Sequence, residues 1–221
     1  MENKRTVRVT GKGRLKLRPD MTRITITLEK TFREYDETLR KSSESTGQLR
    51  ELISECGFKG SDLKTLDFSI DTEYKSYTEH GEYKQRFAGY KFRHIMKIEF
   101  DSDNVLLGRI LSALAGCGLH PEFRISYTVK DTEAAKSRLL GNAVKDAGKK
   151  AAVLAEAADV ALMEILSVDY SWGEIEFETC PMDRMAAGGY LASSAVESCS
   201  LDIEPDDIDV SDTVTVIWEI Q

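Results

Sequence analysis

The sequence predicts an α+β fold in which antiparallel-rich sheets carry two long helices. Three observations support that class. Residues 6–29, TVRVTGKGRLKLRPDMTRITITLE, alternate apolar and polar side chains around Gly11, Gly13 and a Pro19-Asp20 turn. Residues 32–56 and 132–158 instead repeat apolar or small side chains at spacings of three and four. Residues 63–77 and 85–100 read as two long strands, joined as a hairpin through Thr78, Glu79, His80 and Gly81.

At the N-terminus, Val7 and Val9 oppose Thr6, Arg8 and Thr10, and Leu15 and Leu17 alternate with Arg14, Lys16 and Arg18. Two short half-buried strands are expected there, with Gly11 and Gly13 as the bulge or reversal between them. Pro19-Asp20 then starts a turn before Ile24, Ile26 and Leu28 resume the alternation. The GxG is no dinucleotide fingerprint, because its context is strand to strand and position 16 is Lys where a third glycine belongs.

The first long helix is expected to turn Tyr35, Leu39, Ser42, Thr46, Leu49, Ile53 and Cys56 inward and to end at Gly57. Its stripe is weakly apolar in the middle, as suits a helix lying on a sheet. A short helix at 103–115 has Ser102 or Asp103 as its cap, Val105, Leu106, Ile110 and Leu114 inward, and Gly116 and Gly118 at its end. A strand at 123–129 leads to the second long helix, capped by Asp131 or Thr132, with Glu133 at the positive end of the dipole. Ala135, Leu139, Ala143, Ala147, Ala151, Leu154 and Ala158 give that helix a face of little bulk, so its axis can approach a neighbour closely. It would span roughly 40 Å.

Strands at 162–170 and 209–220 close the chain, with Val210, Val214, Val216, Trp218 and Ile220 on one side of the last. Strand, long helix, strand, strand thus occurs at 22–100 and again at 121–220, as in two β-α-β-β lobes joined by a short helix. The residues themselves do not repeat. No Pro- or Ser-rich linker intervenes, so residues 1–221 read as a single domain with lobes at 5–100 and 121–220.

With 221 residues and 41% hydrophobic content the chain can bury a substantial core. Thirty Lys and Arg against 38 Asp and Glu leave a net charge of −8, which disfavours nonspecific attraction to nucleic acid or anionic membrane. The start, MENKRTVRV, lacks the apolar run of a secretory signal, and no segment has the length of apolar sequence that a spanning helix needs. A cytoplasmic protein without membrane insertion or nucleic-acid partner is expected.

Candidate chemistry is sparse. Cys56, Cys117, Cys180 and Cys199 show no CxxC spacing and no nearby histidine pair, which argues against zinc and thioredoxin-like sites. Cys56 and Cys117 read as free thiols at helix ends, and Cys180 and Cys199 as a candidate redox pair bracketing a loop. His80, His94 and His120 lack serine or cysteine partners and read as structural. The run Asp202, Glu204, Asp206, Asp207, Asp209 and Asp212 lacks EF-hand spacing, so it reads as a solvated edge; neither metal nor cofactor is expected. Lys4, Arg5, Arg8, Lys12, Arg14, Lys16 and Arg18 concentrate the opposite charge at the other terminus, and the two are expected to pair within or between protomers.

Residues 173–208 form a long segment without helix or strand periodicity. Trp172, Phe177, Met182, Met185, Tyr190 and Leu191, with Gly188 and Gly189, make it the candidate interaction loop, because aromatics and methionine are enriched at interface cores.

Three patterns, VxVxGxGxxxxxPD from Val7 to Asp20, the Gly89-Tyr90 pair, and AVKDAGKKAAVLAEAADVALMEI in the alanine helix, occur in an order that resembles the SIMPL-domain family. That family includes the periplasmic immunogenic proteins, and the resemblance spans roughly residues 5–220. It implies an α+β fold, a tendency to oligomerise, and a loose association with oxidative-stress defence and, in animals, kinase signalling. It implies no established active site, so no catalytic residue is carried over. Two departures stand out: bacterial members are commonly exported whereas no signal is seen here, and a glycine often found after the alanine helix is replaced around Asp159 and Val160.

The resulting expectation is a non-enzymatic, self-associating protein that works by assembly or by binding a partner protein through residues 173–208. The alternative is a small-molecule-binding or catalytic protein with a pocket between its lobes.

Overall fold

The computed structural model describes residues 5–79, 81–170, 175–179 and 204–221. In order, the elements are β1 (Thr6–Leu17), β2 (Met21–Phe32), α1 (Tyr35–Glu55), β3 (Lys64–Glu79), β4 (Glu82–Asp101), α2 (Asn104–Gly116), β5 (Glu122–Thr128), α3 (Thr132–Ala157), β6 (Leu162–Asp169), β7 (Glu178–Thr179) and β8 (Ile208–Ile220). The class is α+β, as expected, with the long helices lying on antiparallel sheets.

The described residues form two compact units. One comprises residues up to Asp20, Thr128–Thr179 and Pro205–Gln221, and holds α3 and a sheet in the order β1-β8-β6. The other comprises Met21–Tyr127, and holds α1, α2 and the strand succession β3-β4-β2-β5. The β-α-β-β order occurs twice in sequence, but not sheet by sheet. β5 opens the second occurrence, yet it lies beside β2, and the place next to β8 belongs to β1.

β1 corrects the expectation of two strands separated at Gly11 and Gly13. It is a single strand whose antiparallel register with β8 runs unbroken from Thr6↔Glu219 to Leu17↔Ile208. The glycines serve the helix lying on the strand. A Cβ at Gly11 would sit 2.1 Å from the Ala143 carbonyl oxygen, and one at Gly13 would sit 2.2 Å from that of Leu139. The facing stripe of α3 is Ala135, Leu139, Ala143, Ala147, Ala151 and Ala155, so the small face foreseen in the sequence does bring the backbones together. It continues in steps of four to Ala155, which leaves Leu154 half exposed rather than inward.

Side chains on the flank of α3 also reach the backbone of β1. Asp146 accepts from the Lys12 N–H at 2.8 Å, Asn142 donates to the Arg14 carbonyl at 3.2 Å, and Lys150 donates to that of Thr10 at 3.2 Å. An edge strand otherwise presents such groups to other chains. The two oppositely charged ends of the sequence meet within the protomer, where Lys16 lies 3.3 Å from Asp207.

In the second unit the core comprises Ile24, Ile26 and Leu28 of β2, Phe92, Met96 and Ile98 of β4, Leu49 and Ile53 of α1, and Leu107, Ile110 and Leu114 of α2. α1 buries Thr38, Ser42, Ser45, Leu49 and Ile53, whereas Tyr35 and Leu39, expected inward, are half exposed. The Thr38 hydroxyl permits this by donating to the Glu34 carbonyl at 2.8 Å. In α2 the Asp103 carboxylate caps the N–H groups of Val105 and Leu106, and Val105 is exposed rather than inward.

Both long helices end in the same arrangement. Gly57 (φ +101°) bonds to Ser54 O while Phe58 bonds to Ile53 O; Asp159 (φ +53°) bonds to Glu156 O while Val160 bonds to Ala155 O. Asp159 therefore occupies a left-handed position that favours glycine.

Candidate functional site

Of the residues singled out in the sequence, Trp172, Met182, Met185, Tyr190, Leu191, Cys180 and Cys199 lie outside the described residues. Phe177 is described, and it corrects the expectation of a contact residue. It is buried against Leu15, Ala135 and Leu139, and its carbonyl accepts from the Thr128 hydroxyl at 2.6 Å. Cys56 is buried, and burial pushes its thiol up from the ordinary value. Cys117 donates to the Leu114 carbonyl at 3.1 Å. His80 is not among the described residues, and His120 is exposed at φ +49°.

Three surfaces stand out instead. The first is the end of the β3–β4 hairpin. β2 accompanies β4 only as far as Phe32↔Tyr90, while β3 and β4 stay paired from Glu73↔Gly89 to Glu79↔Glu82. Among the described residues the sheet beyond Tyr90 is therefore a two-stranded ribbon, about 23 Å long at ~3.3 Å per residue. Gly89 marks the point of departure. It has φ +147°, faces a register shift between Glu73 and Tyr74, and would place a Cβ 2.2 Å from the Phe32 carbonyl oxygen.

The ribbon is exposed, and it is aromatic. Tyr83 is 89% accessible and Tyr74 56%, with Tyr77 and Phe87 also exposed. Edge-to-face pairs run along it, Tyr74 with Phe87 at 5.9 Å, Phe87 with Tyr90 at 5.3 Å and Tyr90 with Tyr35 at 5.4 Å, and Arg86 lies over Tyr77 at 6.0 Å. Two-stranded ribbons are marginal in water without further packing.

The second surface is β6, the end strand in the order β1-β8-β6. Met163, Ile165, Leu166 and Val168 are all exposed on it. The opposite edge of the same sheet, β1, displays Arg8, Lys12, Arg14 and Lys16 and is covered in part by α3, whereas the charges on β6 are Glu164 and Asp169.

The third surface is a groove of about 490 Å³ in the unit Met21–Tyr127. α1 packs on β2 and β4, and beside it the same face of β3 presents Phe68. His94 on β4 forms the base. Thr46 donates to the Ser42 carbonyl at 2.8 Å, so its hydroxyl oxygen accepts from His94 Nδ1–H at 2.9 Å. Nε2 is then the acceptor for the Thr65 hydroxyl at 2.8 Å, and the network assigns the neutral Nδ1–H tautomer. Burial lowers the His94 pKa from its ordinary 6.5, and Arg50 lowers it further against the opposing charge of Asp67. The Phe68 ring meets the imidazole edge to face at 5.2 Å. Both ring nitrogens are engaged, so His94 is organised as a wall and not as a free base.

A family model named SIMPL, described as a protein of unknown function (DUF541), matches residues 7–218. The chain belongs to the SIMPL family. The match takes in β2 through β7 completely and all but the ends of β1 and β8, so both units are part of the SIMPL domain. No curated protein matches the chain. Among the described residues, no helix is long and apolar enough to cross a membrane.

Sequence reasoning placed the hairpin of this SIMPL protein but missed the ribbon, the open β6 and the groove. One signal was available: Lys75 pairs with Arg86, Ser76 with Gln85, Tyr77 with Lys84 and Thr78 with Tyr83, so neither face of the ladder around these aromatics is continuously apolar. A ladder with no buried face predicts a ribbon without a sheet beneath it.

Proposed function

We propose that this SIMPL protein acts by self-association, with a second copy taking up the exposed aromatic ribbon. The observation that carries this reading is the ribbon at residues 73–79 and 82–89, in which four aromatic side chains are exposed on a hairpin that has left its sheet. Aromatic side chains bring large contact area at low entropic cost and dominate interface energetics. The free side of β6 supports the same reading, because among the described residues no further strand pairs with it and its apolar side chains are exposed. A non-enzymatic role in assembly, stress-related as the family resemblance implies, is the function we assign.

Light scattering on the full chain tests this against a variant carrying Tyr74→Ser, Tyr77→Ser, Tyr83→Ser and Phe87→Ser. The wild type should have a mass of several chains and the variant a lower mass, with an unchanged circular dichroism spectrum. Equal masses would overturn the role of the ribbon. Deleting residues 181–200 isolates the contribution of the segment first expected to make the contact. That deletion begins after Thr179, so the buried Phe177 is retained.

A further inference from the structure

The groove over His94 plays no part in the self-association proposed above, and its lining is not that of an unfilled seam. Its size, about 490 Å³, is that of small-molecule sites. Its rim holds a cation without an acid: among the described residues no hydrogen bond or ion pair engages the Arg50 guanidinium, and the carboxylate of Glu44 on the same helix is taken by Arg40 at 2.7 Å and Lys41 at 2.9 Å. Its sides are apolar, with Leu39 and Phe68 both half exposed toward it.

Gly47 provides the space. It lies in the middle of α1, where glycine is less favourable than alanine by about 0.5–1 kcal/mol, and its backbone is not left-handed. A Cβ there would meet nothing within 4 Å among the described residues, so none of their packing contacts requires the glycine. An occupant of the groove would.

We propose that the groove binds a small organic monoanion, a carboxylate on an aromatic or branched apolar body, with the carboxylate on Arg50 and the body between Leu39 and Phe68 over the His94 ring. The hydroxyl of Ser43, which lines the groove and is exposed, is within the same rim and suits the second carboxylate oxygen. The neutral imidazole fixed by Thr46 and Thr65 supports a single negative charge in the ligand, since Arg50 is then the cation of the groove. Phe68 supplies a face suited to aromatic stacking, already oriented by its contact with His94.

The probes are 1-naphthoate and its uncharged analogue 1-naphthalenemethanol, titrated into the full-length protein at neutral pH by calorimetry. 1-Naphthoate should bind once per chain, and the alcohol about tenfold more weakly. Arg50→Gln should weaken 1-naphthoate about tenfold and leave the alcohol almost unchanged. Gly47→Leu should remove both while the melting temperature stays level or rises, because leucine favours the helix and projects into open space. The ribbon variant should bind as the wild type does, which separates this proposal from the self-association reading. Failure of 1-naphthoate to bind, or binding insensitive to Arg50→Gln or Gly47→Leu, would overturn it.

Discussion

Where α3 crosses β1 the two elements meet backbone to backbone; where α1 crosses β2 and β4 they meet through side chains. In the first contact Gly11 and Gly13 lie under Ala143, Ala147 and Leu139, at separations that admit no added carbon. In the second, Thr38, Ser42, Leu49 and Ile53 stand on β2 and β4, and the helix leaves the face of β3 open beside Phe68. The difference teaches that the residue size along a helix face sets more than spacing. A stripe of alanine closes down on the strands it crosses, β1 and β8, while a mixed stripe of hydroxyl and aliphatic side chains leaves an accessible groove with polar groups in it.

The largest effect that can break this comparison is expected at Gly11. Gly11→Ala should destabilise the fold by about 3 kcal/mol or more, the upper end for overpacking, because the obstacle is the backbone oxygen of Ala143 rather than a movable side chain. Urea unfolding would measure it, and a wild-type midpoint would refute the close approach.

His94→Gln should have a smaller effect, about 1–2 kcal/mol for two disturbed hydrogen bonds. It should also alter the pH dependence. Burial, followed by Arg50, lowers the folded-state pKa of His94 below 6.5, against the raising effect of Asp67. The unfolded chain therefore binds more protons in the window between the two values. Stability should rise with pH through that window and be lost as pH falls below 6.5 toward the folded value. Thermal melts between mildly acid and neutral pH should show this in the wild type and a flatter profile in His94→Gln.

The smallest effects come from the helices themselves. Asp159→Gly should stabilise by about 0.5–1 kcal/mol, since φ +53° suits glycine and a carboxylate at a helix C-terminus opposes the dipole. Gly47→Ala should stabilise by a similar amount of about 0.5–1 kcal/mol, in contrast with Gly11→Ala. If the two glycine substitutions had the same sign, the contrast between the layers would fail.

Much of this arrangement was legible in the sequence, because alternation and four-residue spacing are local. The Ala135 to Ala151 stripe announced a close-packing helix, and the alternation in Thr22 to Leu28 announced β2. Gly11 and Gly13 were misread as a break because the requirement for them comes from Ala143 and Leu139, far along the chain. Nothing within β1 distinguishes that requirement from a bulge. The inward face of α1 was misplaced in its first turns for a related reason: Thr38 satisfies its hydroxyl on a backbone carbonyl and so buries where Tyr35 and Leu39 were expected, while Ser42, Leu49 and Ile53 are inward as foreseen. Phe177 looked like a surface aromatic because its neighbours show no periodicity, yet its anchor is Leu15 and Leu139 of other elements. The groove had no local signature at all, since it exists only where α1 leaves β3 uncovered.

Amide hydrogen exchange at low and high protein concentration tests the central claim most directly, by comparing β1 with the ribbon at residues 73–79 and 82–89. The account predicts that β1 is protected at both concentrations and that the ribbon gains protection only at the higher one, as a second copy covers it. A ribbon that exchanges equally fast at both, in protein whose mass shows it assembled, would contradict the account.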